Sequence, residues 1–298
     1  MRRILLIINP AAARTRRQVG ETITSVLRRE GCAVDVVETS GPGDAAGMAT
    51  VGVEDRVDAV AVYGGDGTVM QVVESLIGHD IPIGLIPGGT GNLLAGNLRL
   101  PKNPREAARI VAHGRPRVID VGKVERASGV RYFAVACGSG FDAELMAHTS
   151  GEAKRRWGVG AYLARAWHLA KDMVPVPYTV TIDGRVLDLQ ASSVMVANCS
   201  EFIPPLLRLG PGIALDDGVL DTLIFSARGV AEAAQVMLKL FARRVDGLTI
   251  RHLRGQEVKV ESTPRQPVQL DGEVDGETPF TATVVHNALS VLVPAQSR

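Results

Sequence analysis

Two glycine-dense stretches, Gly64-Gly65-Asp66-Gly67-Thr68 and Pro87-Gly88-Gly89-Thr90-Gly91-Asn92, limit what this chain can fold into more than any other feature. Each follows a short apolar run and opens a segment of helical spacing. Apolar runs recur at Ile4–Ile8, Ala33–Val37, Ala59–Tyr63, Ile83–Ile86 and Val118–Val121. Helical patterns lie between them, over roughly Thr15–Glu30, Asp44–Glu54, Thr68–Ile77 and Pro104–His113, with a short helix at Leu93–Leu98. Continuously apolar strands alternating with helices predict a parallel sheet covered on both faces. In such sheets ligands gather beyond the carboxyl ends of the strands. Asn9-Pro10, Thr39 and both glycine loops leave strands on that side.

After about residue 123 the pattern changes. Tyr178–Ile182, Glu257–Glu261 and Phe280–Val284 alternate in the half-buried manner, and Asp183-Gly184, Asp217-Gly218 and Asp271-Gly272 read as turns between antiparallel strands. Helical stretches interrupt near Lys154–Met173 and Val230–Arg243. The expectation is an N-terminal parallel-sheet α/β domain over residues 1–123, rejoined by the last residues of the chain, and a mainly antiparallel, β-sandwich-like domain over 124–298.

A formal charge of +1, from 33 Lys plus Arg against 32 Asp plus Glu, argues against a nucleic acid partner, as do aromatics at only 4%. Cys32, Cys137 and Cys199 are too few and too scattered for a disulfide framework or a thiolate zinc site. The apolar run after Met1-Arg2-Arg3 is too short for a signal peptide, and no stretch is written like a membrane-spanning helix. A cytoplasmic protein, at most peripheral on the inner face of a membrane, is expected.

The glycine loops suit phosphate, because a chain without side chains can turn its N–H groups outward at a helix N-terminus. Asp66 among those glycines would repel phosphate, which points instead to Mg²⁺ or its bound water; a capping Asp in an ordinary turn is the plain alternative. Common nucleotide motifs are missing: Asn97-Leu98 stands where a P-loop needs Lys-Ser/Thr, and no Gly-x-Gly-x-x-Gly with a following acid is present. No His-Glu-x-x-His spacing suggests a zinc hydrolase.

Ile8-Asn9-Pro10, Gly64–Thr68, Pro87–Asn92 and Leu270-Asp271-Gly272-Glu273, in this order, resemble the diacylglycerol kinase catalytic-domain family, which includes soluble bacterial lipid kinases and sphingosine and ceramide kinases. Asp120-Val121-Gly122, Gly138–Asp142 and Leu215–Gly218 extend the likeness along essentially the whole chain. The resemblance implies a two-domain, ATP- and Mg²⁺-dependent lipid kinase with ATP in the cleft between the domains. It places nucleotide contacts at Asn9, Thr39, Gly64, Gly65, Asp66, Gly67, Thr68, Val69, Met70, Gly89, Thr90 and Asn92. It makes Asp66 part of the Mg²⁺ and water network, and Asp271 the general base toward the lipid hydroxyl. It also implies a structural metal at the Asp217 carboxylate and the carbonyls of Ala214 and Val219. A homodimer stands among the expectations.

Two segments depart from the family pattern. Ala11-Ala12-Ala13 replaces the usual Ser-Gly after Asn9-Pro10, with Arg14, Arg16 and Arg17 nearby to meet phosphate. Glu201–Gly210 is apolar rather than glycine-rich, which suits either an acyl-chain pocket or simple packing. Between Lys154 and Met173, Val159, Leu163, Trp167 and Ala170 recur at helical spacing among basic residues. Such a helix would rest on an anionic bilayer or serve as an ordinary surface helix. Two other readings stay open: a kinase for a soluble acceptor such as NAD, and a nucleotide-binding regulator without catalysis.

Overall fold

The computed structural model describes residues 1–12, 17–147, 168–203, 207–209, 212–242 and 249–295. The chain divides into two compact units, Met1–Ile119 with Asn287–Arg298, and Asp120–His286.

In the first unit, strands β1 (Arg3–Ile8), β2 (Ala33–Glu38), β3 (Ala59–Gly64) and β4 (Ile83–Pro87) alternate with helices α1 (Arg17–Arg29), α2 (Asp44–Glu54), α3 (Asp66–Leu76), α4 (Leu93–Asn97) and α5 (Pro104–His113). The strands run parallel in the order β2-β1-β3-β4. Every residue of β3 is buried, as a strand covered on both faces must be, whereas edge strand β2 is largely half-buried or exposed. Ile4, Leu6, Ala59, Ala61 and Ile86 pack with Ile23 and Leu27 of α1 and Ala107, Ala108 and Val111 of α5. Asn103 accepts from Arg105 N at 2.9 Å and Pro104 occupies the first turn, which together start the helix. Helix α3 begins at Asp66, inside the glycine loop, two residues before the periodicity predicts.

The chain passes into the second unit within β5 (Arg115–Arg126). There follow β6 (Gly129–Phe133), β7 (Ala136–Gly140), α6 (Phe141–Ala147), β8 (Val176–Ile182), β9 (Arg185–Ala191), β10 (Ser193–Ala197), the short pair β11 (Glu201–Ile203) and β12 (Leu207–Arg208), and β13 (Leu220–Phe225). Helix α7 (Gly229–Phe241) precedes β14 (Ile250–Gly255), β15 (Glu257–Ser262), β16 (Pro267–Leu270) and β17 (Glu273–Glu277), and β18 (Phe280–Val293) carries the chain back. One antiparallel sheet orders β14-β13-β10-β7-β16-β17. A second joins β9, β8, β15 and the first part of β18. Between them Tyr178, Val180, Val258, Val260 and Phe280 meet Val194, Val196, Leu220, Ile224 and Val268, which makes a sandwich core.

The turn dipeptides divide into two kinds. Asp183-Gly184 and Asp271-Gly272 have positive φ at both residues and close the β8–β9 and β16–β17 hairpins, as their sequence predicts. Asp217-Gly218 closes no hairpin; it leads into β13, whose partners are β10 and β14.

The two sheets are also joined by a polar contact. Ser139 Oγ of β7 donates to Tyr178 Oη of β8 at 3.1 Å, with both residues buried. Burial raises the Tyr178 pKa, so the phenol stays neutral in the core. Tyr178→Phe is expected to strand the Ser139 hydroxyl and lower unfolding stability by about 1–2 kcal/mol. Denaturant titration checks this, and an unchanged midpoint would show that the hydroxyl finds another partner.

Candidate functional site

The four loops at the carboxyl end of the parallel sheet are stitched together by main-chain bonds. Asn9 N donates to Tyr63 O at 3.0 Å, Thr39 N to Ile8 O at 2.9 Å, and Gly88 N to Gly64 O at 2.8 Å. The parallel order puts all four loops at one end, so Asn9, Thr39 and both glycine loops share the rim the sequence assigns them.

The glycine loops touch as backbone on backbone. A Cβ on Gly89 would stand 2.7 Å from Gly65 Cα, and one on Gly91 would stand 2.6 Å from Asp66 Oδ2. Only glycine fits either place. Asp66 ties the loops: Oδ2 accepts from Asn92 N at 2.8 Å and Oδ1 from Leu93 N at 2.6 Å. The carboxylate thus caps α4 from the first residue of α3. Asn92, with φ of 50°, brackets Gly89 by accepting from its N at 2.9 Å and donating to its O at 2.8 Å. Each element of this lock uses a residue type that the next depends on.

Helix α3 then presents its N-terminus. Val69 N is the first of its amides to bond a carbonyl four residues back, Gly65 O at 3.0 Å. The amides of Gly67 and Thr68 have no such carbonyl in their own helix and carry the positive end of its dipole. Thr68 is buried, and its Oγ1 accepts from Asn9 Nδ2 at 2.7 Å, while Asn9 Oδ1 accepts from Ala11 N at 2.9 Å. Val69 and Met70 are half-buried in the same turn, and Thr90 is exposed at the tip of the second loop. Thr39 is buried, and the loop after it is held by Asp44 Oδ2, which accepts from Ser40 N and Gly41 N at 2.8 Å each. Of the three arginines expected near this rim, Arg14 and Arg16 lie outside the described residues, while Arg17 opens α1 and pairs with Glu21 at 3.9 Å.

In the second unit, Asp271 occupies the β16–β17 turn with φ of 47°. Its Oδ2 accepts from Ala134 N at 2.8 Å, and its Oδ1 from Val135 N and Ala136 N at 2.9 Å each. Sequence reading finds the turn but not these three donors. An amide in this place would set its own N–H₂ against a backbone N–H, so Asp271→Asn disturbs the turn as well as the charge.

A buried chain of side chains backs this turn. Gln269 Oε1 accepts from Gly272 N at 2.7 Å, and its Nε2 donates to Asp142 Oδ2 at 3.1 Å. Ser193 Oγ donates to Asp142 Oδ1 at 2.8 Å. An acceptor-only carboxylate therefore fixes which end of the Gln269 amide faces Gly272. Burial pushes the Asp142 pKa up to about 6, against the lowering by Ser193 and Gln269. The glycines of Gly138-x-Gly140 leave it room: a Cβ at Gly138 would fall 1.7 Å from Asp142 Oδ2. That glycine spacing is the sequence signal for a network that residue type alone does not reveal.

The expected metal ligands present a different donor set. The Asp217 carboxylate is paired with the Arg254 guanidinium, and Val219 N approaches Asp217 Oδ1 at 3.4 Å. Among the described residues no group of three or more His, Cys, Asp or Glu side chains is arranged to hold a metal. An Asp217 carboxylate already engaged by the Arg254 guanidinium does not fit the charged ligand of a structural cation. Of the other expected segments, residues 154–167 lie outside the described residues, as do 204–206 and 210 of Glu201–Gly210. Among the described residues no helix is long and apolar enough to cross a membrane.

Comparison with known proteins accords with this geometry. Residues 3–124 match the diacylglycerol kinase catalytic domain, and residues 135–293 match the YegS C-terminal NAD kinase beta sandwich-like domain. A diacylglycerol kinase of Mycobacterium tuberculosis strain H37Rv is 31% identical over 281 residues, covering 91% of this chain and 88% of that protein. A Synechocystis protein with no assigned role is 28% identical over 80% of this chain, which spans only 55% of that longer protein. A crystal structure of a diacylglycerol kinase from Bacillus anthracis strain Sterne, at 23% identity, shares the fold with a TM-score of 0.76 over 98% of this chain and 96% of that one. A second structure from that strain, at 26% identity, gives 0.84 over the same shares.

Asp142 yields a pH prediction. Its folded pKa lies above the ordinary aspartate range, so folding binds its proton and gains stability at low pH. That contribution is complete below about pH 4 and is lost as pH rises through about 6, a change of about 3 kcal/mol. In Asp142→Asn the contribution is absent, so the stability difference between wild type and variant should move in the wild type's favour as pH falls from 7 to 4. A difference independent of pH would show that Asp142 titrates normally.

Proposed function

The chain belongs to the diacylglycerol kinase family of lipid kinases, and from that premise we propose that it transfers the γ-phosphoryl group of ATP, with Mg²⁺, to a hydroxyl of diacylglycerol or a related lipid. The observation that carries the donor half is the backbone contact of Gly65 with Gly89 beside the open amides of α3. Donors fixed in that way stabilise the phosphate charges without reorganising during transfer. Asn9 and Thr68 hold each other in place, so the first turn of α3 is fixed before nucleotide arrives.

The Asp66 carboxylate, held by Asn92 N and Leu93 N at the junction of the two glycine loops, is placed to face a water bound to Mg²⁺. Bound Mg²⁺ would supply charge neutralisation of the phosphates. On the acceptor side Asp271 takes the proton of the lipid hydroxyl as the P–O bond to that oxygen forms and ADP leaves. Its three backbone amides keep the carboxylate ionised and in one orientation, so its part in the transfer rests on position rather than on basicity. The beta sandwich match carries the description of an NAD kinase, so a soluble acceptor is the second reading. The basic segment Lys154–Met173 is the proposed bilayer contact, on sequence alone.

Transfer of radiolabel from ATP tests the reading, with diacylglycerol, ceramide and sphingosine in mixed micelles and NAD in solution. Labelled phosphatidic acid is expected; label in NAD alone, or in nothing, contradicts it. For the base, Asp271→Asn should lower turnover by about 10²–10⁴-fold while ATP affinity holds. The same variant should lose about 1–3 kcal/mol of stability from the amide that opposes a backbone N–H, so turnover is compared below its melting point. Wild-type turnover in the folded variant removes Asp271 from the chemistry.

A further inference from the structure

The Asp217-Gly218 turn concentrates negative charge in the second unit. Asp120 and Asp221 have no exposed surface, and Asp217 is tied to each, through its neighbour Gly218 to Asp120 and through Arg254 to Asp221. Gly218 N donates to Asp120 Oδ2 at 2.7 Å, and His286 Nδ1 lies 2.8 Å from Asp120 Oδ1. Asp221 Oδ2 is buried without a hydrogen-bond donor, so its charge must be met at Oδ1. Burying carboxylates in this way costs stability unless positive partners offset it.

Strand register supplies the partner. Asp221 of β13 stands directly opposite Arg254 of β14, and His252, two residues earlier, shares the face of Arg254. Arg254 Nε reaches Asp221 Oδ1 at 3.2 Å, and His252 Nε2 reaches the same oxygen at 2.6 Å. Another nitrogen of that guanidinium pairs with Asp217 Oδ2. One planar fork thus bridges the turn carboxylate and the strand carboxylate. A divalent cation would need about six or more oxygen ligands, and the carboxylates of Asp217 and Asp221 are already engaged by Arg254. The turn borders a solvent-open pocket of about 690 Å³ walled by Asp183, Asp217, Glu257 and His286, so exclusion of ions is not the reason for the arginine.

We infer that Arg254 supplies, from its own strand, the positive charge that holds the Asp217 turn to β13, and that this turn therefore needs no bound metal. Lysine would not substitute fully, because a single ammonium lacks the fork that spans two carboxylates.

The test uses the full chain, free of nucleotide and treated with EDTA. Thermal unfolding of the wild type should be the same in EDTA, in Mg²⁺ and in Ca²⁺, and metal analysis after purification should find no stoichiometric ion. Arg254→Met should lower Tm by on the order of 5 °C, and Arg254→Lys should fall between the two. If Arg254→Met does not fold, the lysine variant and the wild-type metal comparison still decide. A wild-type Tm that drops in EDTA and returns with either cation overturns the inference. So does stoichiometric metal, or a methionine variant as stable as the wild type.

Discussion

The Asp66 carboxylate, accepting two backbone amides at the start of α4, is the interaction on which the first unit's loops depend. It joins the loop after β3 to the loop after β4, and it can do so only because those strands are neighbours in a parallel sheet. The close approach of Gly65 to Gly89 goes with the same tie, and a side chain at Gly89 would hold the loops apart. What results is an N-terminus of α3 whose first amides lack carbonyl partners in their own helix, at a position fixed by the sheet. A charge that appears unsuited to a phosphate site is spent inside the protein, on backbone donors.

The second unit repeats the device. Asp183 accepts from Gln256 N and Glu257 N, Asp120 from Gly218 N, and Asp271 from Ala134, Val135 and Ala136. In each case an acidic side chain replaces the secondary-structure partner that a turn cannot give its amides. The strength of these bonds comes from the full charge on the acceptor. Where carboxylates crowd, as at Asp217 and Asp221, the Arg254 guanidinium meets both. Fold and site are therefore held by the same kind of contact.

Much of this was legible in the sequence. Ala59–Tyr63 and Ile83–Ile86 read as buried parallel strands because a strand covered on both faces needs no polar alternation, and β3 and β4 are those strands. Asp183-Gly184 and Asp271-Gly272 announced hairpins because few other pairs adopt positive φ twice. The Asp217-Gly218 pair misled, since dipeptide type says nothing about which strands flank it. The partners of Asp66, Asp142 and Asp217 were not legible either. Asn92, Gln269 and Arg254 lie 26, 127 and 37 residues away, and only the sheet register and loop packing bring them together.

On the proposed reading, the backbone contact of the two glycine loops is the nucleotide's phosphate seat. Equilibrium binding of ATP to wild type and to Gly89→Ala tests it most directly, because the added methyl group would stand 2.7 Å from Gly65 Cα and must part the loops. An affinity at least about tenfold weaker, equivalent to about 1.4 kcal/mol, is the predicted result. Equal affinity in a folded Gly89→Ala protein would place the phosphates elsewhere and contradict the account.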